Sequence, residues 1–115
     1  MKLTITSGRV FFLVNTRHEI NLTHHSQVSI FDTFNSFRKK IDDFFRRVTW
    51  SVDGTCTAIT DNGVLIFYYD NEEVIEKFLM VDVFLTDEPF AEVKKLSKSY
   101  NWLLYDLETE NYLPL

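Results

Sequence analysis

Three histidines close together near the N-terminus are the first residues in the chain that could do chemistry. His18, His24 and His25 stand in a polar stretch, with Glu19 beside His18. A zinc site needs several such ligands converging at a fixed geometry. The spacing here fits neither an i,i+4 pair on a helix nor a known zinc pattern. The stretch therefore predicts a polar loop, and a small enzyme or metal-binding function centred on it is the weakest of three hypotheses.

Acid–base catalysis by a carboxylate needs a group whose pKa is raised by its surroundings. Asp82 is the candidate, because it stands between Val81 and Val83 in an apolar segment. Strand alternation places its side chain toward solvent, and a charge there also protects an edge strand from aggregation. The chain has no Gly-rich phosphate loop, nucleophile elbow or HExxH motif. We therefore expect no enzymatic activity, no cofactor and no metal.

The single cysteine, Cys56, bears on the compartment. One thiol cannot form an internal disulfide, so the reducing cytoplasm is the expected location and Cys56 is expected to be a small buried residue. The N-terminus lacks the apolar stretch of a signal peptide. The longest apolar run, residues 64–69, is far shorter than the ~20 residues of a membrane span.

The elements that would position these residues begin with a predicted amphipathic helix over about residues 29–48. Ser29 and Asp32 have the spacing of a capping box at its start. Apolar residues then recur in alternating steps of four and three, which is the period of one helical face. They are Ile30, Phe34, Phe37, Ile41, Phe44 and Val48, with Phe31 and Phe45 widening the face.

Two turn dipeptides predict an antiparallel β-meander over residues 49–69. Asp53-Gly54 and Asn62-Gly63 are type I′ hairpin signals, and each lies between β-forming segments. The continuous apolar run in residues 64–67 predicts a central strand buried on both faces.

The rest of the chain predicts further strands and a second helix. The helix spans about residues 87–100, with Thr86 as its N-cap. Further strands are predicted at residues 3–6, 10–14, 78–85 and 102–106, with shorter ones at 20–22 and 112–113. Strands joined by tight turns are antiparallel, and two helices suffice to cover one face of a sheet. The expected fold is thus one α+β domain over residues 1–115, built on a single antiparallel sheet with two helices.

The net charge of −5 hides an uneven distribution. Residues 1–50 carry eight Lys/Arg and four Asp/Glu, whereas residues 51–115 carry four Lys and thirteen Asp/Glu. In the first half, Arg46 and Arg47 follow Asp42 and Asp43 at helical i,i+4 spacing. The basic residues there thus predict a solvent-facing helix surface with ion pairs, and we expect no nucleic-acid binding.

The acidic half of the chain offers a candidate docking surface for a basic protein. Its carboxylates fall at turns and at the start of the second helix, where simple solubility would also account for them. Tyrosines adjoin them, and tyrosine is enriched among interface anchors. The candidate partner-binding residues are Tyr68, Tyr69, Asp70, Glu72, Glu73, Glu76, Asp87 and Glu88.

In residues 86–113 the segment Pro89-Phe90-Ala91-Glu92-Val93-Lys94-Lys95-Leu96 is followed by Asn101-Trp102-Leu103-Leu104-Tyr105-Asp106 and then by Tyr112-Leu113. This order of a helix, a strand and a short terminal strand resembles the ending of small bacterial immunity proteins from contact-dependent-inhibition and polymorphic toxin systems. The resemblance implies a cytoplasmic protein that neutralises a cognate toxin, often a basic nuclease. It also implies that Trp102, Tyr105 and Asp106 are framework residues. Such proteins share no inhibitory residues, so no site carries over.

The leading hypothesis is an immunity protein that covers the active-site cleft of a cognate toxin, a basic nuclease. Electrostatic steering would speed association, and a few aromatic anchors would hold the complex. The alternative is a non-catalytic regulatory or adaptor domain that binds a cellular protein or self-associates. The sequence leaves the partner, the strand order and the converging acidic residues open.

Overall fold

The computed structural model describes residues 8–15, 30–69, 73–76, 78–85 and 90–114. Within these ranges the chain forms nine strands and two helices. The strands are β1 (Arg9–Asn15), β2 (Ile30–Thr33), β3 (Arg47–Trp50), β4 (Thr55–Thr60), β5 (Gly63–Tyr68), β6 (Val74–Glu76), β7 (Phe78–Leu85), β8 (Trp102–Asp106) and β9 (Asn111–Tyr112), and the helices are α1 (Phe34–Phe44) and α2 (Ala91–Ser99). Strands predicted at residues 3–6 and 20–22 lie outside the described ranges.

The strands form one large antiparallel sheet and one small one. The large sheet has the order β3-β4-β5-β7-β1-β8-β9, and β2 pairs with β6 in the second sheet. The α+β class is confirmed, but the expectation of a single sheet is wrong. Ile30–Thr33, predicted as the start of a helix, is extended and pairs with β6. Its partner is the segment 74–76, for which the sequence predicts no element, because this long-range pairing leaves no local pattern.

The predicted meander forms as β3, β4 and β5, joined by two hairpins. The predicted type I′ geometry is wrong, because that turn needs two consecutive residues with positive φ and neither Asp53 nor Asn62 has one. Gly54 has a φ of 92°, which side chains rarely adopt, and an added Cβ would lie 2.7 Å from the carbonyl oxygen of Tyr69. Glycine is therefore required in this turn. β5 lies inside the sheet, between β4 and β7, as its apolar run predicted. Only one of its faces is covered by the described residues, so the predicted burial on both faces is wrong.

The first helix is shorter than the predicted 29–48 at both ends. Thr33 is the N-cap, and its hydroxyl accepts a hydrogen bond from the backbone N–H of Ser36 at 3.3 Å. At the other end the chain leaves the helix after Phe44, because Arg47 must pair with Ile59 in the sheet. The predicted apolar stripe is confirmed for its middle part, since Phe34, Phe37 and Ile41 are buried. Ile30 and Phe31 lie on β2 and Val48 on β3, so the predicted helical positions of these residues are wrong.

One face of the large sheet, the inner face, packs against the helices and the small sheet. Phe37 of α1 contacts Phe67 and Trp102, with ring centroids 5.9 Å and 6.5 Å apart. Val93 and Leu96 of α2 are buried in the same core. The inner-face residues of the strands that belong to this core are Phe11, Leu13, Cys56, Ala58, Leu65, Phe67, Leu79, Val81, Val83, Trp102 and Leu104.

The opposite side, the outer face, consists of the side chains that alternate with those of the inner face. Nothing among the described residues packs over it, because both helices and the small sheet lie on the inner side. The outer face is nevertheless largely apolar: Ile59, Phe78, Met80 and Tyr112 are 43%, 43%, 36% and 44% exposed. Its polar residues include Asp82 on β7 and Arg47, Thr49, Thr55 and Thr57 on β3 and β4. Antiparallel sheets with one solvated face ordinarily carry polar side chains there.

The C-terminal elements follow the prediction closely. α2 lies within the predicted 87–100, and β8 has the predicted bounds, 102–106. The helix N-cap is Phe90, whose backbone is left-handed at φ 65°, and the predicted N-cap Thr86 lies outside the described residues. Tyr112 pairs back with Tyr105, which confirms the short terminal hairpin. Neither helix in the described ranges is long and apolar enough to cross a membrane.

Candidate functional site

The outer face carries a continuous row of aromatic rings, the outer aromatic row: Phe78, Phe12, Tyr105 and Tyr112. Phe78 stacks on Phe12 with ring centroids 4.1 Å apart, and Phe12 stacks on Tyr105 at 6.4 Å. Tyr112 meets Tyr105 edge to face at 5.1 Å. The row crosses four strands because these residues are cross-strand neighbours or diagonal to one another. Rigid, partly exposed rings are the side chains that most often anchor a protein partner.

A polar pair lies beside this row. The Tyr68 hydroxyl donates a hydrogen bond to Oδ2 of Asp82 at 2.8 Å. That hydrogen bond, together with burial and the nearby negative charge, raises the pKa of Tyr68 above its ordinary value. Tyr68 therefore stays a neutral hydrogen-bond donor at physiological pH, and the carboxylate of Asp82 is fixed by it on the outer face.

The predicted acidic docking residues are only partly described. Glu73 is exposed, at the start of the β6 segment, and Glu76 is the last residue of β6. Asp70, Glu72, Asp87 and Glu88 lie outside the described residues, as do the three histidines. The convergence of these carboxylates into one surface stays a prediction.

The two tyrosines predicted as anchors have different surroundings. Tyr68 is half-buried and lies on the outer face. Tyr69 is buried: its ring packs against Phe34 and Trp50, and its hydroxyl donates to the backbone oxygen of Ser51 at 2.9 Å. Tyr69 thus holds the first hairpin of the meander against α1. Tyr68 is the tyrosine of the two that a partner could contact.

The three residues to which the family resemblance assigns a framework role also differ in their surroundings. Trp102 and Asp106 are buried, and Asp106 is held by Arg9 through two hydrogen bonds of 3.2 Å and 2.6 Å. Tyr105 lies on the outer face instead, in the outer aromatic row. A framework role fits the first two residues, whereas Tyr105 is placed where a partner could contact it.

The basic surface of α1 is engaged with acidic and aromatic neighbours. Arg38 lies 3.9 Å from Asp42 and 5.1 Å from the ring centroid of Trp50. Lys40 pairs with Asp32 at 2.7 Å. Because α1 ends at Phe44, the predicted helical pairs of Arg46 and Arg47 do not form. Ion pairing still accounts for part of this surface, as the sequence indicated.

The described part of the chain holds neither a reactive thiol nor a cluster of metal ligands. Cys56 is buried, as predicted, and burial, aided by the charge of Asp42, raises the pKa of its thiol to about 12. Such a thiol is not a nucleophile near neutral pH. Across residues 8–15, 30–69, 73–76, 78–85 and 90–114, no cluster of His, Cys, Asp and Glu side chains could hold a metal ion.

Sequence reasoning treated Asp82 as a solvent-facing or edge-protecting residue and gave the outer face no role. The side of the strand is right, but the strand is central, between β5 and β1. The available signal was the outward alternation in β7, where Phe78, Met80 and Phe84 accompany Asp82. Large apolar residues on the side away from the helices indicate a covered or binding face.

Comparisons with protein-family models, with curated proteins and with solved structures found no match to this chain.

Proposed function

We propose that the chain is an immunity protein, which binds a cognate toxin and neutralises it by covering the active-site cleft, the toxin being a basic nuclease. One observation supports the binding part of this proposal: the largely apolar outer face with its outer aromatic row, over which nothing in the described part of the chain packs. A contiguous exposed apolar surface of this kind marks a docking site for another macromolecule. The chain needs no chemistry of its own to act in this way.

Two further features support a basic partner and a toxin. Residues 51–115 carry thirteen acidic and four basic side chains, so the part of the chain that contains most of the outer face is strongly negative. A negative surface accelerates association with a positively charged protein. The resemblance of residues 86–113 to immunity proteins points to a toxin as that protein.

Co-expression with the protein encoded by the gene immediately upstream tests the function. We expect that protein to arrest growth by itself, and co-expression of this chain to restore growth and yield a complex. The variant Phe78→Glu should abolish rescue, because it places a charge in the outer aromatic row. Val52→Glu is the matched control, since Val52 is fully exposed at a hairpin tip away from this face. A harmless upstream protein, or no complex on mixing, refutes the proposal.

The alternative is a non-catalytic adaptor domain that self-associates or binds a cellular protein, and the same outer face favours it. Two copies could bury their apolar faces against each other as stacked sheets do. Sedimentation equilibrium tests the self-associating form of this alternative. A stable dimer that Phe78→Glu converts to a monomer supports the self-associating adaptor, whereas a monomer over the whole concentration range excludes self-association.

A further inference from the structure

We infer that Asp82, held by Tyr68, is the receptor for an arginine or lysine side chain that the partner presents from apolar surroundings at the centre of the outer face. The inference rests on the proposed function in one respect, that a protein docks on this face. It adds the chemistry of the contact and moves its centre away from the acidic turns.

The position of Asp82 is the first support. β7 is the fourth of the seven strands in the large sheet, with three on each side. Across the neighbouring strands, Asp82 stands opposite Ile66 on β5 and Val10 on β1. The carboxylate is therefore at the middle of the face and between apolar side chains. It cannot serve to protect a sheet edge, because both sides of β7 are paired.

The second support is that its charge is not neutralised within the described part of the chain. The contact of Asp82 there is the Tyr68 hydroxyl, which reaches Oδ2. Arg47 is the cation that strand alternation puts on the same face, but it lies on the edge strand β3, three positions away in the sheet. A carboxylate buried by a partner without a counter-charge costs several kcal/mol of desolvation. A docking face with this carboxylate at its centre therefore selects a cationic partner group.

The surroundings favour a side chain that is both cationic and partly apolar. The half-buried Tyr68 ring on β5 reaches the carboxylate through its hydroxyl, and Ile66 and Val10 flank Asp82 on the strands beside β7. A guanidinium stacks on such a ring while donating to a carboxylate, and the stem of arginine or lysine covers apolar surface. No other described residue donates to Oδ1 of Asp82, so this oxygen can accept a second hydrogen bond, which a guanidinium fork can supply.

Charge also argues against a second copy as the occupant. A two-fold axis through the middle of the sheet would bring the two Asp82 carboxylates together as their faces lose water. Like charges in a dehydrated contact destabilise it. The observations thus favour a basic partner over self-pairing.

A pair of short peptides tests the site without the toxin. The probes are acetyl-Leu-Arg-Leu-amide and its neutral analogue with citrulline in place of arginine. We expect the arginine peptide, at millimolar concentration, to cause saturable shifts in the NMR signals of Tyr68 and Ile66. The citrulline peptide should cause none. The shifts should vanish in Asp82→Asn, an isosteric change, and persist in Asp61→Asn, which removes the same charge from an exposed turn. Equal shifts in Asp82→Asn, or with citrulline, overturn the inference.

Binding to the upstream-encoded protein gives the second measurement. Asp82→Asn should raise the Kd by about 30-fold or more, mainly through faster dissociation, as expected when one member of a buried charge pair is lost. Tyr68→Phe, which keeps the carboxylate but not its support, should weaken binding less, and Asp61→Asn by less than about 2-fold. Unchanged melting temperatures exclude misfolding as the cause.

The two proposals fail separately. If wild type binds the upstream protein and Asp82→Asn binds it equally well, the receptor role is wrong and the immunity function stands. If the arginine peptide binds at Asp82 but the upstream protein does not bind, the function is wrong and the cation site stands. A wild-type dimer formed through the outer face overturns the inference by itself.

Discussion

Arg9 and Asp106 lie 97 positions apart in the chain and form a two-point ion pair, with Nε to Oδ1 at 3.2 Å and Nη2 to Oδ2 at 2.6 Å. The Asp106 side chain is only 2% exposed, whereas Arg9 is 27% exposed. The backbone N–H of Glu108 donates a further hydrogen bond to Oδ1 of Asp106 at 2.9 Å. The pair therefore ties the start of β1 to the end of β8 and to the turn that follows it.

Replacing this carboxylate should destabilise the fold. We expect Asp106→Asn to lower the free energy of unfolding by about 1–3 kcal/mol, since it removes charge-assisted hydrogen bonds from a buried position. Glu108→Gln is the matched control: Glu108 also contacts Arg9, at 3.0 Å, but its side chain is 69% exposed. Urea denaturation measures both variants. Equal stability losses in the two would contradict the structural importance of burial here.

The same carboxyl should make stability depend on pH. Burial by itself raises the pKa of Asp106, but the hydrogen bonds from Arg9 and from the Glu108 backbone outweigh it and hold the pKa below its ordinary value. The stabilisation is then complete above the unfolded-state pKa of about 3.9 and is lost as the pH falls through the folded-state value. Unfolding free energies measured from about pH 6 to pH 3 should fall more steeply for wild type than for Asp106→Asn. Parallel curves would show that the Arg9–Asp106 pair does not contribute to the pH dependence of the unfolding free energy.

Phe90 should reverse the usual ranking of alanine and glycine. Its backbone is left-handed at φ 65°, while its ring packs edge to face on Phe11 at 5.4 Å. Both Phe90→Ala and Phe90→Gly lose the ring, but glycine also removes the backbone strain. We expect Phe90→Gly to be more stable than Phe90→Ala by about 1 kcal/mol in thermal or urea unfolding. Alanine equal to or better than glycine would be incompatible with the left-handed N-cap.

The native Cys56 thiol should resist labelling. With its pKa raised to about 12 by burial, it should react with Ellman's reagent at pH 8 at least about 100-fold more slowly than in the denatured chain. A Val52→Cys variant in a Cys56→Ala background is the exposed control and should react at once. Fast labelling of the native wild type would mean that the thiol is accessible and active.

Local signals account for the elements that could be predicted from the sequence. The spacing of Phe34, Phe37 and Ile41 indicated α1, and the two turn dipeptides indicated the meander, because each feature involves residues close together in the chain. The position of β1 between β7 and β8, and the pairing of β2 with β6, depend on distant segments. The sequence predicts a helix start at Ser29 for the same reason: Ile30–Thr33 pairs with β6, and no pattern within the segment itself indicates this pairing.

The candidate site shows the same limit. Alternation predicted that Asp82 faces away from the core, and it does. The strand order determines whether β7 lies at an edge or in the middle of the sheet. At an edge, Asp82 would protect against aggregation, whereas in the middle it can receive a cationic group from a partner. Tyr68 and Tyr69 were indistinguishable as adjacent tyrosines; the strand pleat sends them to opposite sides, so Tyr68 meets Asp82 and Tyr69 packs under the hairpin.

The placement of β1 also orders events in time. β1 leaves the ribosome before the strands that flank it, β7 and β8, which come from the second half of the chain. The β1 backbone therefore stays unpaired, with Phe11 and Leu13 uncovered, until β7 and β8 have been synthesised. The β3–β4–β5 hairpins, in contrast, can close as they emerge. Pairing through long-range contacts, as in β1, is slow. The nascent protein is thus vulnerable to aggregation and proteolysis at β1 until β8 is synthesised.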